Sequence, residues 1–510
     1  MKIGIGELNS NHFSKIVIGN AKVEIAQEAE AKAIRSYDFL VNFSQDKVIY
    51  GINTGFGSMA QFKIDDKHRK ELQYNLIRSH SSGSGNALPE VYLRGIILAR
   101  LNTLLKGYSG IHPEVLHCLA QLLNKQVLPL ILEHGGVGAS GDLVQLAHLA
   151  LGLIGEGEVR YKGKIVPTKD AFLKAGITPI GIHIREGLAL MNGTSAMTGI
   201  GLINIHQAKK AVRYSIAASA MINEVVQAYD DHFSFELNAT KHHVGQAFVA
   251  SEMRKMLAGS TLTKKRPDHL YNKKVEVDVI KEKVQEYYSV RCVPQILGPV
   301  CDTLDYAEKV LVNELNSVND NPVIDAERQN VFHGGNFHGD YISLEMDKVK
   351  IALTKACMLA ERQLNFLFND KLNNILPPFV NLGKLGLNFG MQGIQFTATS
   401  TTAENQTLSN PMYVHSIPCN NDNQDIVSMG TNGALITKKV VDNTFDVLAI
   451  ELMAIAQAID FLQTKHHMSP STRKVYDLIR SVSATFTGDH PKYKEIETLS
   501  SFLKNNEVQF

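Results

Sequence analysis

Ser140 is the residue best placed to do chemistry, in the run Gly135-Gly136-Val137-Gly138-Ala139-Ser140-Gly141-Asp142. Three glycines crowd the approach, so the backbone can take positive φ and pack closely on itself. A serine so placed could serve as a nucleophile, sit in a phosphate cradle, or start a helix. The nucleophile elbow needs Gly-x-Ser-x-Gly, and Asp142 stands where the second glycine belongs. The cradle needs a lysine before its Ser/Thr, and none is there. What stays open is a glycine-rich turn capping a core helix, for which Ser140 and Asp142 are suitable types. Ser140 would then lie at that helix's positive end.

Other chemistry-bearing residues are scattered. Tyr50 stands where the β-prone run Lys47-Val48-Ile49-Tyr50 breaks into the glycine loop Gly51–Gly57. Loop corners of this kind often carry function, and a half-buried core tyrosine is the alternative. Arg291 could fork a carboxylate or form a surface ion pair. Tyr229-Asp230-Asp231-His232 could start a metal ligand set, but nothing nearby completes one, so no metal is expected. His242-His243 and His466-His467 are expected at the surface. The five cysteines have no CxxC spacing, and their odd number argues against a disulfide framework. Cys357 falls on an apolar helical face and reads as core.

The elements that must position these groups are mostly helices. Apolar residues from Leu143 to Leu153 recur at helical spacing after the glycine run. Residues 21–43 read as an amphipathic helix, Leu72–Ile77 as a helix ending at Ser79-His80, and Pro89 and Pro113 as helix openers. Glu158–Pro167 reads as a hairpin around Lys162-Gly163. Thr194 or Ser195 should cap a helix reaching about Gln227, setting Asn192 beside a second positive helix end. The stretch Thr261–Lys283, with Lys264, Lys265, Arg266, Lys273 and Lys274, reads as a solvated loop. The patterns at 300–316, 340–368 and 434–464 exceed the ordinary helix of roughly a dozen residues and point to a long bundle. The expected class is mainly α, with a smaller mixed N-terminal domain (1–200) carrying the serine loop and a helical-bundle domain (201–510).

Lys+Arg of 52 against Asp+Glu of 51 gives a net charge of +1 over 510 residues. That balance gives no reason to expect nucleic acid or an anionic membrane as partner. No apolar run is long enough to span a bilayer, and Met1–Asn20 has no secretory pattern, so a cytoplasmic home is expected.

Gly138-Ala139-Ser140-Gly141-Asp142-Leu143 resembles the signature of the aromatic amino acid ammonia-lyases, the histidine, phenylalanine and tyrosine lyases, whose fold is the ammonia-lyase/fumarase-like helical bundle. In that family Ala-Ser-Gly closes into a methylidene-imidazolone (MIO), an electrophile made from the backbone. Glycine at 141 removes the Cβ that would obstruct attack of its nitrogen on the Ala139 carbonyl. The likeness extends along the chain. Tyr50-Gly-Ile-Asn-Thr-Gly-Phe-Gly57 is similar to the loop whose tyrosine removes the β-proton. Leu188–Thr194 resembles the segment whose asparagine, here Asn192, contacts the prosthetic group. Gln285 to Cys292 resembles the segment whose arginine, here Arg291, clamps the substrate carboxylate and whose tyrosine, here Tyr288, assists at the amine. Gly334–Gly339 matches the segment whose phenylalanine, here Phe337, lines the site. Glu404 and Gln424 fall on the family's glutamate and glutamine positions.

The resemblance implies MIO as cofactor, with no metal or nucleotide, and a small aromatic amino acid as substrate. It also implies a homotetramer whose sites combine residues of three chains. Helix N-termini at Asp142 and after Asn192 would stabilise negative charge on the ring. The ring-recognition pair falls at Ser79-His80, where His80 could bond a phenol or an imidazole. Gln406 departs from the lysine usual in histidine lyases. Asn75–Gly83 and the run from Asn410–Pro418 through Asn423–Asp425 most resemble bacterial tyrosine ammonia-lyases. The expectation is therefore elimination of ammonia from L-tyrosine to give trans-4-coumarate. Histidine ammonia-lyase and an aromatic 2,3-aminomutase are the alternatives.

Overall fold

The computed structural model describes residues 1–272, 274 and 276–508, so Lys273 lies outside the described residues. The chain is mainly helical and forms two compact units. Unit 1 comprises Met1–His206, Ala307–Asp347 and Pro411–Lys438, and unit 2 comprises Gln207–Tyr306, Lys348–Asn410 and Lys439–Phe510. In chain order the elements that matter are α1 (Gln27–Phe43), α2 (Arg69–His80), α3 (Glu90–Leu104), α4 (Pro113–Lys125), β1 (Leu128–Pro129), α5 (Leu143–Leu153), β2 (Glu158–Tyr161), β3 (Lys164–Pro167) and α6 (Glu186–Met191). They continue with the long helices α7 (Ser195–Val225), α8 (Val293–Leu315) and α9 (Asp340–Phe368), then α10 (Gln392–Leu408) and α11 (Gly430–Leu462). At 33 residues α11 is roughly 50 Å long.

In unit 1, β2 and β3 form the expected hairpin, with Tyr161 opposite Lys164, and β1 pairs antiparallel with β2. Helix α3 starts after Pro89 and is buried from Tyr92 to Leu104. On it the Arg94 guanidinium donates to the carbonyls of Ile16 and Val17, at the end of the helix Ser10–Val17.

Two local expectations are corrected here. Lys47–Tyr50 is not a strand, because the Asn53 side chain takes its backbone groups: Oδ1 accepts from Ile49 N (2.9 Å) and Nδ2 donates to the Lys47 carbonyl (2.7 Å). The helix expected at 21–43 begins at Gln27, since Glu24 and Ile25 pair in parallel with Lys2 and Ile3.

Unit 2 is built from helices. Every residue from Val447 to Ile459 of α11 is buried, the signature of a rod covered on all sides. Cys357 is fully buried as expected, and burial pushes its thiol up to about 11. His242, His243, His466 and His467 are exposed. No helix among the described residues is long and apolar enough to cross a membrane.

A buried ion pair ties the segment before α6 to the loop after α8. Arg185 meets Asp320 with two hydrogen bonds (2.8 and 3.0 Å) and donates a third to the Ser109 carbonyl, and both side chains are fully buried. Removing one partner strands a desolvated charge. Asp320→Ala should lower unfolding stability by about 3–5 kcal/mol, read from urea midpoints, whereas the double change Arg185→Met with Asp320→Leu should recover most of it.

Candidate active site

Within unit 1 a cavity of about 670 Å³ is lined by Tyr50, His80, Ser140, Gly141, Asn192, Phe337 and Gln424, seven of the expected site residues. Ala139 is buried behind Ser140. They arrive from six stretches, among them the glycine loop for Tyr50, the last turn of α2 for His80 and the end of α6 for Asn192.

The serine loop is held by its backbone and by one carboxylate. Gly141 has φ +72° and pairs with Gly193, whose carbonyl accepts from Asp142 N (2.8 Å). A Cβ on Gly141 would lie 2.0 Å from the Gly193 oxygen. Gly193, at φ +145°, is pressed against Arg100 Nη1 and Asn319 Oδ1. Arg100 is wholly buried, and burial draws its guanidinium down to about 10.

Asp142 does not cap its own helix α5. Its Oδ2 instead accepts from Ala196 N (2.8 Å) and Met197 N (2.9 Å), 54 and 55 residues away, while Thr431 donates to Oδ1. The expected cap of α7 by Thr194 or Ser195 is thus corrected. Those first-turn amides belong to Asp142, and Ser195 Oγ is buried without a partner among the described residues. Burial pushes the Asp142 carboxyl up to about 6, and the three hydrogen bonds pull the other way.

Ser140 is approached from two sides. Asn192 Nδ2 donates to its carbonyl oxygen (3.1 Å) and Gln424 Nε2 to its hydroxyl (3.0 Å). Asn192 Oδ1 is buried with no partner among the described residues, leaving an acceptor at the cavity edge. Tyr50 lies edge-on to Phe56, and its hydroxyl accepts from Gly57 N (3.0 Å). His80 Nδ1 is 3.0 Å from the Leu76 carbonyl. The same Nδ1 is 2.9 Å from the Ser79 hydroxyl, which can donate or accept, so either ring tautomer suits these neighbours.

Sequence reasoning missed several lining residues, among them Phe56, Asn321, Cys419, Asn420 and Asn423. Asn420, Asn421 and Asp422 take φ of 55°, 54° and 58°, a left-handed turn that closes with Cys419 and Gln424 exchanging backbone hydrogen bonds (3.2 Å each). The only sequence signal was its Asn/Asp composition, since these types tolerate positive φ best after glycine.

The other four expected residues belong to unit 2 and do not line this cavity. Gln285 and Tyr288 line a separate cavity of about 570 Å³. Arg291 donates to Gln285 Oε1 (2.5 Å) and lies 4.8 Å over the Tyr288 ring. Glu404 is exposed on α10, accepting from Asn443 Nδ2 (2.6 Å) with Lys439 at 3.6 Å.

A family model described as "Aromatic amino acid lyase" matches residues 8–481. A tyrosine 2,3-aminomutase of Chondromyces crocatus is 41% identical over 510 residues, covering 99% of this chain and 93% of that protein. An MIO-dependent tyrosine 2,3-aminomutase of Streptomyces globisporus is 40% identical over 96% of this chain and 92% of its own. A crystal structure of tyrosine aminomutase from that organism superposes with a TM-score of 0.95 at 38% identity, over 99% of this chain and 96% of that one. A histidine ammonia-lyase of Geobacillus sp. (strain WCH70) is 39% identical, over 97% and 94%. These relatives overturn the expectation of a tyrosine ammonia-lyase, because the tyrosine enzymes among them are named as aminomutases.

The loop fits the prosthetic group. Gly141 has no room for a Cβ, and Asn192 and Gln424 both hold the middle residue of the triad. Ala139-Ser140-Gly141 is the precursor from which MIO forms autocatalytically.

Gly141→Ala should block ring closure, and the intact chain should then weigh what its sequence specifies, whereas the parent is lighter by two waters. The Asp142 carboxyl gives a pH signature. Its native value exceeds the unfolded value of about 3.9, so its stabilisation is complete below pH 4 and lost as pH rises towards 6. The advantage of the parent over Asp142→Asn in denaturant should therefore shrink by on the order of 2 kcal/mol between pH 4 and 7.

Proposed function

The chain belongs to the aromatic amino acid lyase family, and on that premise we propose that it is a 2,3-aminomutase of L-tyrosine. The amine leaves Cα, is retained, and is returned to Cβ to give β-tyrosine. The full-length likeness to the Chondromyces crocatus enzyme carries this reading. His80 in the cavity lining supports a phenol as the group recognised, since a phenol hydroxyl can donate to or accept from an imidazole nitrogen.

MIO supplies an electrophilic alkene carbon for the amine or the aromatic ring, which no standard side chain offers. The chain's own residues do the rest. Tyr50 takes the β-proton as the Cα–N bond breaks, and a proton is delivered to Cα when the amine adds to Cβ. Asn192 donates to the Ser140 carbonyl, the oxygen conjugated with the alkene once the ring has closed, and so stabilises charge there. Phe337 packs against the substrate ring, and Gln424 holds the triad from the other side. Arg291 forks the carboxylate, with Gln285, Tyr288 and Glu404 completing the amine and carboxylate contacts. We assign these four residues to neighbouring copies in a homotetramer with shared sites.

Incubation with L-tyrosine, followed by chromatography and mass spectrometry, should yield β-tyrosine as the main product. Coumarate as sole product, or turnover of L-histidine to urocanate with none of L-tyrosine, would refute the assignment. Tyr50→Phe should keep the two-water mass loss yet turn over roughly 10²–10⁴-fold more slowly. Ser140→Ala should lose both.

A further inference from the structure

His112, Glu114 and His183 converge in unit 1, and none of the three lines the cavity. His112 is the residue before α4, Glu114 lies in the first turn of α4, and His183 sits in the segment leading into α6. Glu114 Oε1 is 3.1 Å from His183 Nε2, and its Oε2 is 3.7 Å from His112 Nδ1. All three donor atoms lie within 4.8 Å of one another. A tetrahedral zinc site with ligands at about 2.1 Å sets its donors roughly 3.4 Å apart, so this one would close once His112 Nδ1 exchanges the Glu114 amide it accepts from (3.4 Å) for the ion.

The surroundings already hold the ligands in place. Glu186, fully buried, accepts from His112 N (3.0 Å) through one oxygen and from His183 N (2.7 Å) through the other. One carboxylate thus fixes the backbones of both histidines. Their rings stack at 4.4 Å, and Tyr37 meets both edge-on. Supporting contacts of this kind orient metal ligands. The three side chains are each about 36% exposed, which leaves an ion access from solvent.

We propose that His112, Glu114 and His183 bind one divalent transition ion, zinc foremost, with water completing the coordination. Two imidazoles and one carboxylate favour zinc, cobalt or nickel over magnesium and calcium, which want oxygen donors. The ion replaces the proton between His183 and Glu114 and pins the start of α4 to the segment that leads through α6 to Asn192. Its role is to brace that segment, and the chemistry of the cavity does not pass through it.

The test uses full-length protein stripped with a chelator and titrated with zinc chloride in a calorimeter and with cobalt chloride in a visible spectrometer. One ion per chain, with cobalt absorption bands, is expected. His183→Ala and Glu114→Gln should each weaken binding by at least about 10–100-fold. Saturating zinc should raise the thermal midpoint of the parent and leave that of the variants unmoved. Since Glu114→Gln keeps an acceptor for the Gly181 amide, it separates loss of the ion from loss of the fold. Absence of binding, or binding equally strong in both variants, would overturn the proposal and, in the second case, place the ion on other side chains.

Discussion

One buried carboxylate organises the site. Asp142 binds the first two free amides of α7 and the Thr431 hydroxyl at the start of α11, while its own amide reaches Gly193. Two helix starts and the reactive loop are therefore registered against a single side chain. Burying a carboxylate is costly, and the rise of Asp142 to about 6 reflects that cost despite three hydrogen bonds. The same burial places the positive end of α7 beside the loop, where a developing negative charge would be best stabilised.

The loop tolerates this crowding because two glycines face each other. Gly141 and Gly193 approach so closely that neither has space for a Cβ, and behind Gly193 stand Arg100 and Asn319. Arg100 and the Arg185–Asp320 pair fix the segment leading into Asn192 with hydrogen bonds to backbone carbonyls and a carboxylate. Buried charge used this way adds little net stability but leaves few alternative arrangements for the loops it joins. The position of Asn192, and so its bond to the Ser140 carbonyl, follows from that network rather than from α6 alone.

The relatives change how the site is read. Elimination and migration share their opening steps, namely removal of the β-proton and departure of the amine. In the proposed mechanism Tyr50, Asn192 and the Ala139-Ser140-Gly141 triad would serve both, so these residues do not separate the two outcomes. The difference lies in what happens to the amine after it leaves Cα, which depends on how the whole cavity retains it. Full-length likeness to tyrosine 2,3-aminomutases is what supports the proposed migration.

The sequence by itself determined the class and a set of residues that gather together: long helices from sustained apolar periodicity, the β2–β3 hairpin from its Lys162-Gly163 turn, and Ser140 and Gly141 with Tyr50, His80, Asn192, Phe337 and Gln424, which share one cavity. Those elements follow from local spacing, which the chain carries in every window. The strand expected at Lys47–Tyr50 failed because the Asn53 side chain competes for its backbone, and the cap of α7 failed because Asp142 supplies it from 54 residues away. Likewise His112, Glu114 and His183 become neighbours only when the segment before α6 returns to α4. Partners distant in sequence leave no periodicity to read, and only tertiary folding, which trades chain entropy for buried contacts, decides which of them meet.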